Sequence, residues 1–362
     1  MSRHSKEILH LRGARSHIQG RFESAAREAF DDGWTPEEQR ETELRTQVTI
    51  ERARSIMSHN DSPDVGFDRS INPYRGCEHG CIYCYARPSH AYLELSPGLD
   101  FESRLFAKTN AAELLREALA RPGYAAQPIA LGANTDCYQP IERKFGITRQ
   151  ILEVLVECEH PVTLVTKSAL VERDLDLLGL MAQKNLVKVF VSIGTLDREM
   201  ARKLEPRAAS PQRRLDVLKK LNSHGVPCGV MVAALVPALN DKTLEHVLEA
   251  AAQAGASEAA YVILRLPNEL KDLFKEWLAA HYPQRAAHVI SIVRQMRGGR
   301  DNDPNFGSRM SGTGNYAELI EKRFAIACRR YGLNGHGAPR QRAELDCTRF
   351  RPPSRGGQMT LF

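Results

Sequence analysis

"RGCEHGCIYCYARPSH" (residues 75–90) sets Cys77, Cys81 and Cys84 within eight positions and puts Tyr83 directly before the third thiol. Three thiols are one too few to close a tetrahedral metal site. Thiolates also hold iron–sulfur clusters, ordinarily four to a four-iron cube. A cube gripped at three corners leaves one iron free to bind something else, as a catalytic zinc keeps an open position. The Cys-x3-Cys-x2-Cys spacing differs from the Cys-x2-Cys-x2-Cys run of ferredoxins. Two other completions stay open: a structural zinc that recruits His79 or His90, and a closed cluster with Cys137 as fourth thiolate. Eight cysteines in 362 residues do not make a disulfide scaffold, and a tight group of three points to metal.

Working outward from the cysteines, β-branched apolar runs alternate with longer stretches of helical period. Strands are predicted in "FDRSINPY" (67–74), "PIALGA" (128–133), "PVTLVT" (161–166), "VKVFVSI" (187–193), "PCGVMVAAL" (227–235) and "AAYVILRL" (259–266). Helices are predicted in "NAAELLREALA", "TRQILEVLVECE", "RDLDLLGLMAQKN", "SPQRRLDVLKKLNSHG", "KTLEHVLEAAAQAG" and "NELKDLFKEWLAAHY". Ser210-Pro211 supplies an N-cap and an N1 proline, and Gly225 and Gly255 stand where helices end. Alternating βα units require parallel strands with right-handed crossovers. Six of them predict an α/β fold of the partial (β/α)6 barrel type, with chemistry at the C-terminal strand ends. Polar residues fall there: the cysteine loop after strand one, "NTD" (134–136) after strand two, "TKS" (166–168) after strand three, "SIGTLD" (192–197) after strand four.

The rest of the chain reads differently. Residues 1–65 are expected to form a polar arm with one or two short helices around "PEEQRETELRTQVTIERARSIM", and the barrel spans 66–285. An extension covers 286–350, with a Gly/Arg-rich loop and a helix at "AELIEKRFAIACRRYG". A linker and tail follow at 351–362. No stretch approaches the roughly 20 apolar residues of a membrane span. The N-terminus lacks the apolar h-region of an export signal, so a cytoplasmic protein is expected. A formal charge of +6 suits a polyanionic partner without deciding it. Arg12, Arg15 and Arg21 read as a solvated face or as phosphate contacts.

"NPYRGCEHGCIYCYARPSH", "NTDCYQPIE" (134–142), "VTKSALVERD" (165–174), "SIGTLD" and "LEPRAASPQRR" (204–214) together resemble radical S-adenosylmethionine (SAM) enzymes. The branch they resemble contains spore photoproduct lyase and the DNA repair photolyase-like proteins. The resemblance runs over about residues 65–285. It implies a [4Fe-4S] cluster on Cys77, Cys81 and Cys84 whose free iron is chelated by SAM. It implies one-electron cleavage of SAM to a 5′-deoxyadenosyl radical, fed by a reductase or flavodoxin-type donor, and hydrogen abstraction from a substrate at the barrel mouth. By the same resemblance Lys167 meets the SAM carboxylate, Thr135 and Ser192 hydrogen-bond its amino group and ribose, and Tyr83 shields the cluster beside the adenine. Tyr85 lines the substrate side. Cys137 is a candidate hydrogen donor, although the branch's donor thiol precedes the Ser-Asp pair and here the thiol follows Asp136. A buried inert thiol is the other reading of Cys137. Glu205 and Arg207 bind substrate or lock a loop. The implied substrate is nucleic acid, in DNA repair or modification; RNA, a protein or a small molecule is the alternative. "QMTLF" (Gln358–Phe362) resembles the peptide by which repair proteins dock on the DNA sliding clamp. A non-catalytic iron–sulfur sensor tethered there is the rival from another class.

Overall fold

The computed structural model describes residues 12–23, 44–336 and 344–353. Its spine is a seven-stranded sheet. Six strands run parallel and adjacent in chain order: β3 (Arg69–Ile71), β6 (Ile129–Leu131), β7 (Val162–Thr166), β8 (Val187–Ser192), β9 (Cys228–Leu235) and β10 (Glu258–Ile263). A short β2 (Met57–His59) adds to β3 in the antiparallel sense. These six are the strands predicted from β-branched content. The register sets apolar residues side by side: Leu131 lies opposite Ile71 and Leu164, and Val191 lies opposite Thr166 and Val230.

Helices α1 (Leu99–Ser103), α2 (Ala111–Leu119), α3 (Glu142–Phe145), α4 (Ile147–Glu157), α5 (Leu175–Ala182), α6 (Arg198–Leu204), α7 (Pro211–Ser223), α8 (Leu244–Gln253), α9 (Leu270–His281), α10 (Pro283–Gln295) and α11 (Asn315–Arg330) occupy the crossovers and the C-terminal extension. Each long helix buries an apolar stripe against the strands. Leu152 and Leu155 of α4, Leu218 and Leu221 of α7 and Val247 and Leu248 of α8 join Val162, Val187, Val189 and Val230 in one core. Stripes of this kind are what make isolated helical segments stable in a protein. Ser210 caps α7 by accepting from the Arg213 N–H, and Gly225 and Gly255 end α7 and α8 at positive φ. The sheet ends at β10 and β2 without closing, so the chain is a partial (β/α)6 barrel.

One expectation fails. The stretch read as a short helix contains β1 (Gln47–Glu51), which pairs in parallel with β5 (Arg104–Lys108). β5 also takes β4 (Tyr74–Arg75) antiparallel. The result is a three-stranded sheet that carries the cysteine loop. Thr-Val-Ile alternation near 47–51 favours a strand once a distant partner is available, and that partner cannot be read locally.

Opposite the cysteine loop, residues 344–353 lie across the N-terminal strand ends. The Asp346 and Arg351 N–H groups donate to the Asn185 and Cys158 carbonyls. The Phe350 ring meets His160 and Tyr124 at 5.4 and 5.2 Å. No helix among the described residues is long and apolar enough to cross a membrane.

Candidate active site

The cysteine loop leaves β4 through Gly76, whose φ of +73° and crowded surroundings exclude a side chain: a Cβ there would stand 2.6 Å from Leu105 and 2.8 Å from the Phe101 carbonyl. Cys77 and Cys81 are buried and Cys84 is half-buried; all three are free thiols. The loop is held from below by two side chains. Gln139 receives the Glu78 N–H at 2.9 Å and donates to the Gly76 carbonyl at 3.0 Å. Arg87, fully buried, donates to the carbonyls of Cys81 at 2.9 Å and Gly80 at 3.1 Å. Arg87 also pairs with the fully buried Glu102. Glu102 in turn receives the Gly13 and Ala14 N–H groups at 2.9 and 2.7 Å. Arg12 is therefore not the solvated arginine expected: it is buried and donates to the Glu102 and Leu44 carbonyls, each at 2.6 Å. Arg21 pairs with Glu269 at 3.0 Å.

Asp136, at the end of β6, fastens the neighbouring strand end. It receives the Thr166 hydroxyl at 2.8 Å and the Lys167 N–H at 2.7 Å, and it lies 3.2 Å from His79 of the cysteine loop. Burial works against its charge, but His79 and these donors prevail and hold its pKa at about 2. Thr135 donates to the Tyr74 carbonyl at 2.9 Å, and Ser192 to the Ala233 carbonyl at 3.2 Å. Both hydroxyls thus tie strand ends together while keeping oxygen lone pairs.

Across the mouth, Glu205 pairs with buried Arg214 and receives the Tyr83 hydroxyl. Arg214 reaches on to the Ser192 carbonyl at 2.8 Å. Although burial disfavours it, the Glu205 carboxylate stays below the usual range because Arg214 and Lys167 face it. Arg207 pairs with Glu78 at 3.1 Å. Of the two readings of Glu205 and Arg207, loop-locking ion pairs are what the geometry contains.

Lys167 is the ammonium of this end. It stands 5.8 Å from the Tyr83 ring centre, and no hydrogen bond from its Nζ appears among the described residues. Burial lowers its pKa, but Cys81, Glu205 and Asp136 outweigh that and raise it. Tyr85 is half exposed, and its hydroxyl donates to the Ala133 carbonyl. Cys137 has no exposure and sits in the main core, with burial pushing its thiol far up. His90 is spent on the Arg104 carbonyl at 3.0 Å and on the Phe101 ring.

A cysteine-held cluster suits this loop. Burial pushes the Cys81 thiol up to about 12 despite Lys167, so a thiolate there calls for a metal to displace its proton. Among the described residues no three His, Cys, Asp or Glu side chains converge on a single ion; a cube carries its thiolates on separate irons and asks for no such convergence. Of the groups that fix the loop, Asp136 falls in the strand-end "NTD" placed at the mouth from sequence, whereas Arg87, Glu102 and Gln139 carry no such signal, since only long-range pairing marks them.

A parallel half-barrel whose first loop brings three free thiols to a mouth with a poised lysine defines a class of cluster-dependent enzyme. Residues 71–251 match the Radical SAM superfamily, and the chain belongs to it. Such enzymes use a [4Fe-4S] cluster and SAM and need a reductant. An uncharacterized protein of Mycobacterium tuberculosis is 34% identical over 275 residues, covering 75% of this chain and 77% of that one. A Pseudomonas phage protein named radical SAM Nalpha-GlyT isomerase is 25% identical over 185 residues, covering 51% of this chain and 36% of its own. Among solved structures, spore photoproduct lyase with bound AdoMet and dinucleoside spore photoproduct superposes with TM-score 0.60 at 16% identity, covering 84% of this chain and 86% of that one. At that identity the likeness is one of fold.

Proposed function

We propose that this radical SAM enzyme acts on nucleic acid, in repair or modification of DNA, with Cys77, Cys81 and Cys84 as cluster ligands. The observation that carries the reading is the meeting, at one barrel mouth, of this thiol loop with Lys167 and the Tyr83–Glu205–Arg214 network. When bound, the reduced cluster and SAM supply a carbon-centred radical that removes a hydrogen atom from substrate. Lys167 then faces the SAM carboxylate as a point charge. Thr135 and Ser192 offer lone pairs to its amino group and ribose, and Tyr83 walls the cluster from water. Tyr85, half exposed beside the third cysteine, lines the substrate side. Cys137 remains the candidate hydrogen donor in this scheme, although its thiol lies in the core.

One comparison favours a nucleic-acid substrate over a protein or a small molecule: the fold neighbour is complexed with a dinucleoside spore photoproduct. The net charge of +6 is in keeping. A cytoplasmic setting, a flavodoxin-type donor and sliding-clamp docking through Gln358–Phe362 belong to the same proposal; that peptide lies outside the described residues. The test is deuterium transfer. Anaerobic, reduced holoenzyme is given SAM with thymidine-deuterated oligonucleotides, and label is sought in 5′-deoxyadenosine. Label from the polymer supports the reading; label only from an added protein or metabolite pool overturns it.

A further inference from the structure

Directly beyond β10, at the C-terminal rim of the last barrel strand, stands Arg265. Its guanidinium lies 5.5 Å above the Tyr85 ring, and the Tyr85 hydroxyl is anchored on Ala133 at the end of β6. The arginine therefore sits one aromatic ring away from Cys84, on the open side of the mouth.

Its bonding is unlike that of the arginines around it. Arg309 is matched to Asp64 and Ser62 and lies over Phe306 at 4.4 Å. Arg297 donates to the Ser308 and Leu264 carbonyls at 2.8 and 3.1 Å. Arg265 has no carboxylate in ion-pair range among the described residues. Its buried Nε has no hydrogen-bond partner, and the contact from its Nη1 is the thioether sulfur of Met310 at 3.7 Å, a weak acceptor. Burial and the nearby Arg309 both lower its pKa, with Tyr85 and Asp64 opposing. A guanidinium kept charged, part-buried and short of acceptors is costly unless something completes it. The fold also works to hold it there. The Ile263 N–H, two residues earlier, donates to the Met310 carbonyl at 2.9 Å, so the 298–312 loop is strapped along the rim beside it.

We propose that Arg265 is the anion receptor of the substrate side and takes a backbone phosphodiester of a single-stranded nucleic acid laid over Tyr85. The inference rests on the nucleic-acid reading above and deepens it by naming the contact. The planar fork of arginine matches two phosphate oxygens at once. Tyr85 offers a half-exposed ring on which a neighbouring base can stack. Lys167 stands at the same mouth, over Tyr83, so the two cations divide the work: one for the cofactor carboxylate, one for the substrate phosphate.

The experiment is fluorescence-anisotropy titration of a labelled short oligothymidylate with anaerobic, SAM-loaded holoenzyme over a salt series, for the wild type, Arg265→Gln and Arg265→Lys. Inorganic phosphate serves as competitor to separate a polymer backbone from free phosphate. Arg265→Gln is expected to weaken binding about tenfold and to flatten the slope of log affinity against log salt by about 0.7, one phosphate's worth on a single strand. Arg265→Lys should keep the slope and lose part of the affinity, since it retains the charge without the fork. Weaker binding with an unchanged slope would reduce Arg265 to a packing partner of Tyr85 and overturn the inference. Equal binding by all three proteins would overturn it while leaving the nucleic-acid reading intact. Displacement of the oligomer by phosphate at low millimolar levels would assign the site to a small anion instead. No binding by the wild type would sink both. Iron content and unfolding midpoint accompany each variant, and if the glutamine variant fails to fold, the lysine variant and the phosphate competition still decide the matter.

Discussion

At their C-terminal ends the parallel strands deliver Asp136, Lys167, Ser192 and Arg265; at the opposite end β6, β7, β8 and β9 begin with Ile129, Val162, Val187 and Cys228, all buried. The mouth holds buried ion pairs, Arg87 on Glu102 and Arg214 on Glu205, with Asp136 beside His79. The floor is closed by packing, with Phe350 against Tyr124 and His160 and a neutral hydrogen bond of 2.8 Å from the Tyr124 hydroxyl to His160, while its ion pairs, Lys184 and Arg349 on Glu159, are part-exposed. Buried ion pairs seldom stabilise a fold more than apolar packing of the same volume. Their concentration at one end therefore marks where positional precision matters, because a loop that must hold a cluster is fixed by directional bonds. The floor needs only to exclude water.

The contrast can be broken in graded steps. The largest expected effect is at the thiols: Cys81→Ala should abolish the broad visible absorbance of a thiolate-bound cluster, and a variant that keeps its colour would refute the ligand assignment. Next comes Glu102→Ala, which strands the buried Arg87 guanidinium. The expected cost is about 3–5 kcal/mol in denaturant unfolding, with loss of iron on purification. An unchanged midpoint and iron content would show that the brace beneath the cysteine loop is dispensable.

Lys167→Ala is milder. Removing one charged contact should weaken SAM binding about tenfold to a hundredfold in equilibrium dialysis with the cluster intact; unaltered affinity would place the carboxylate elsewhere. The smallest effect belongs to the floor. Burial lowers the His160 pKa to about 4 from its ordinary 6.5. The unfolded chain thus binds the proton more readily, and stability falls as pH drops from the unfolded value toward the folded one. Between pH 7 and pH 5 the loss is about 2 kcal/mol. Urea titrations at the two pH values should show it in the wild type and show it diminished in His160→Gln. An equal loss in both would mean that the floor does not sense protons.

The six parallel strands were legible because each is a β-branched run bounded by turn residues, and the helices between them because an apolar stripe repeats every turn. Gly225 and Gly255 announced helix ends that the backbone confirms at φ of +72° and +97°. β1 and β5 were not legible. β1 has no buried residue, and although β5 buries Leu105 and Ala107, its partners β1 and β4 lie far off in the chain, so neither strand is marked locally. At the mouth, residue types in the loop and strand ends pointed to the chemistry. What holds them did not show: Arg87 and Glu102 look like ordinary surface charges in the sequence until the fold buries both completely. Arg12 misled for the same reason. Arg265 gave no signal either, because its distinguishing feature is a partner it lacks.

The central claim is that the loop at Cys77, Cys81 and Cys84 grips a cube at three corners and leaves the fourth iron to SAM. Electron paramagnetic resonance of the reduced, anaerobically reconstituted protein, before and after SAM is added, tests it most directly. The account predicts a four-iron signal that shifts on SAM addition, because the cofactor takes the vacant coordination position. A signal indifferent to SAM, or protein that holds zinc in place of iron, would contradict it.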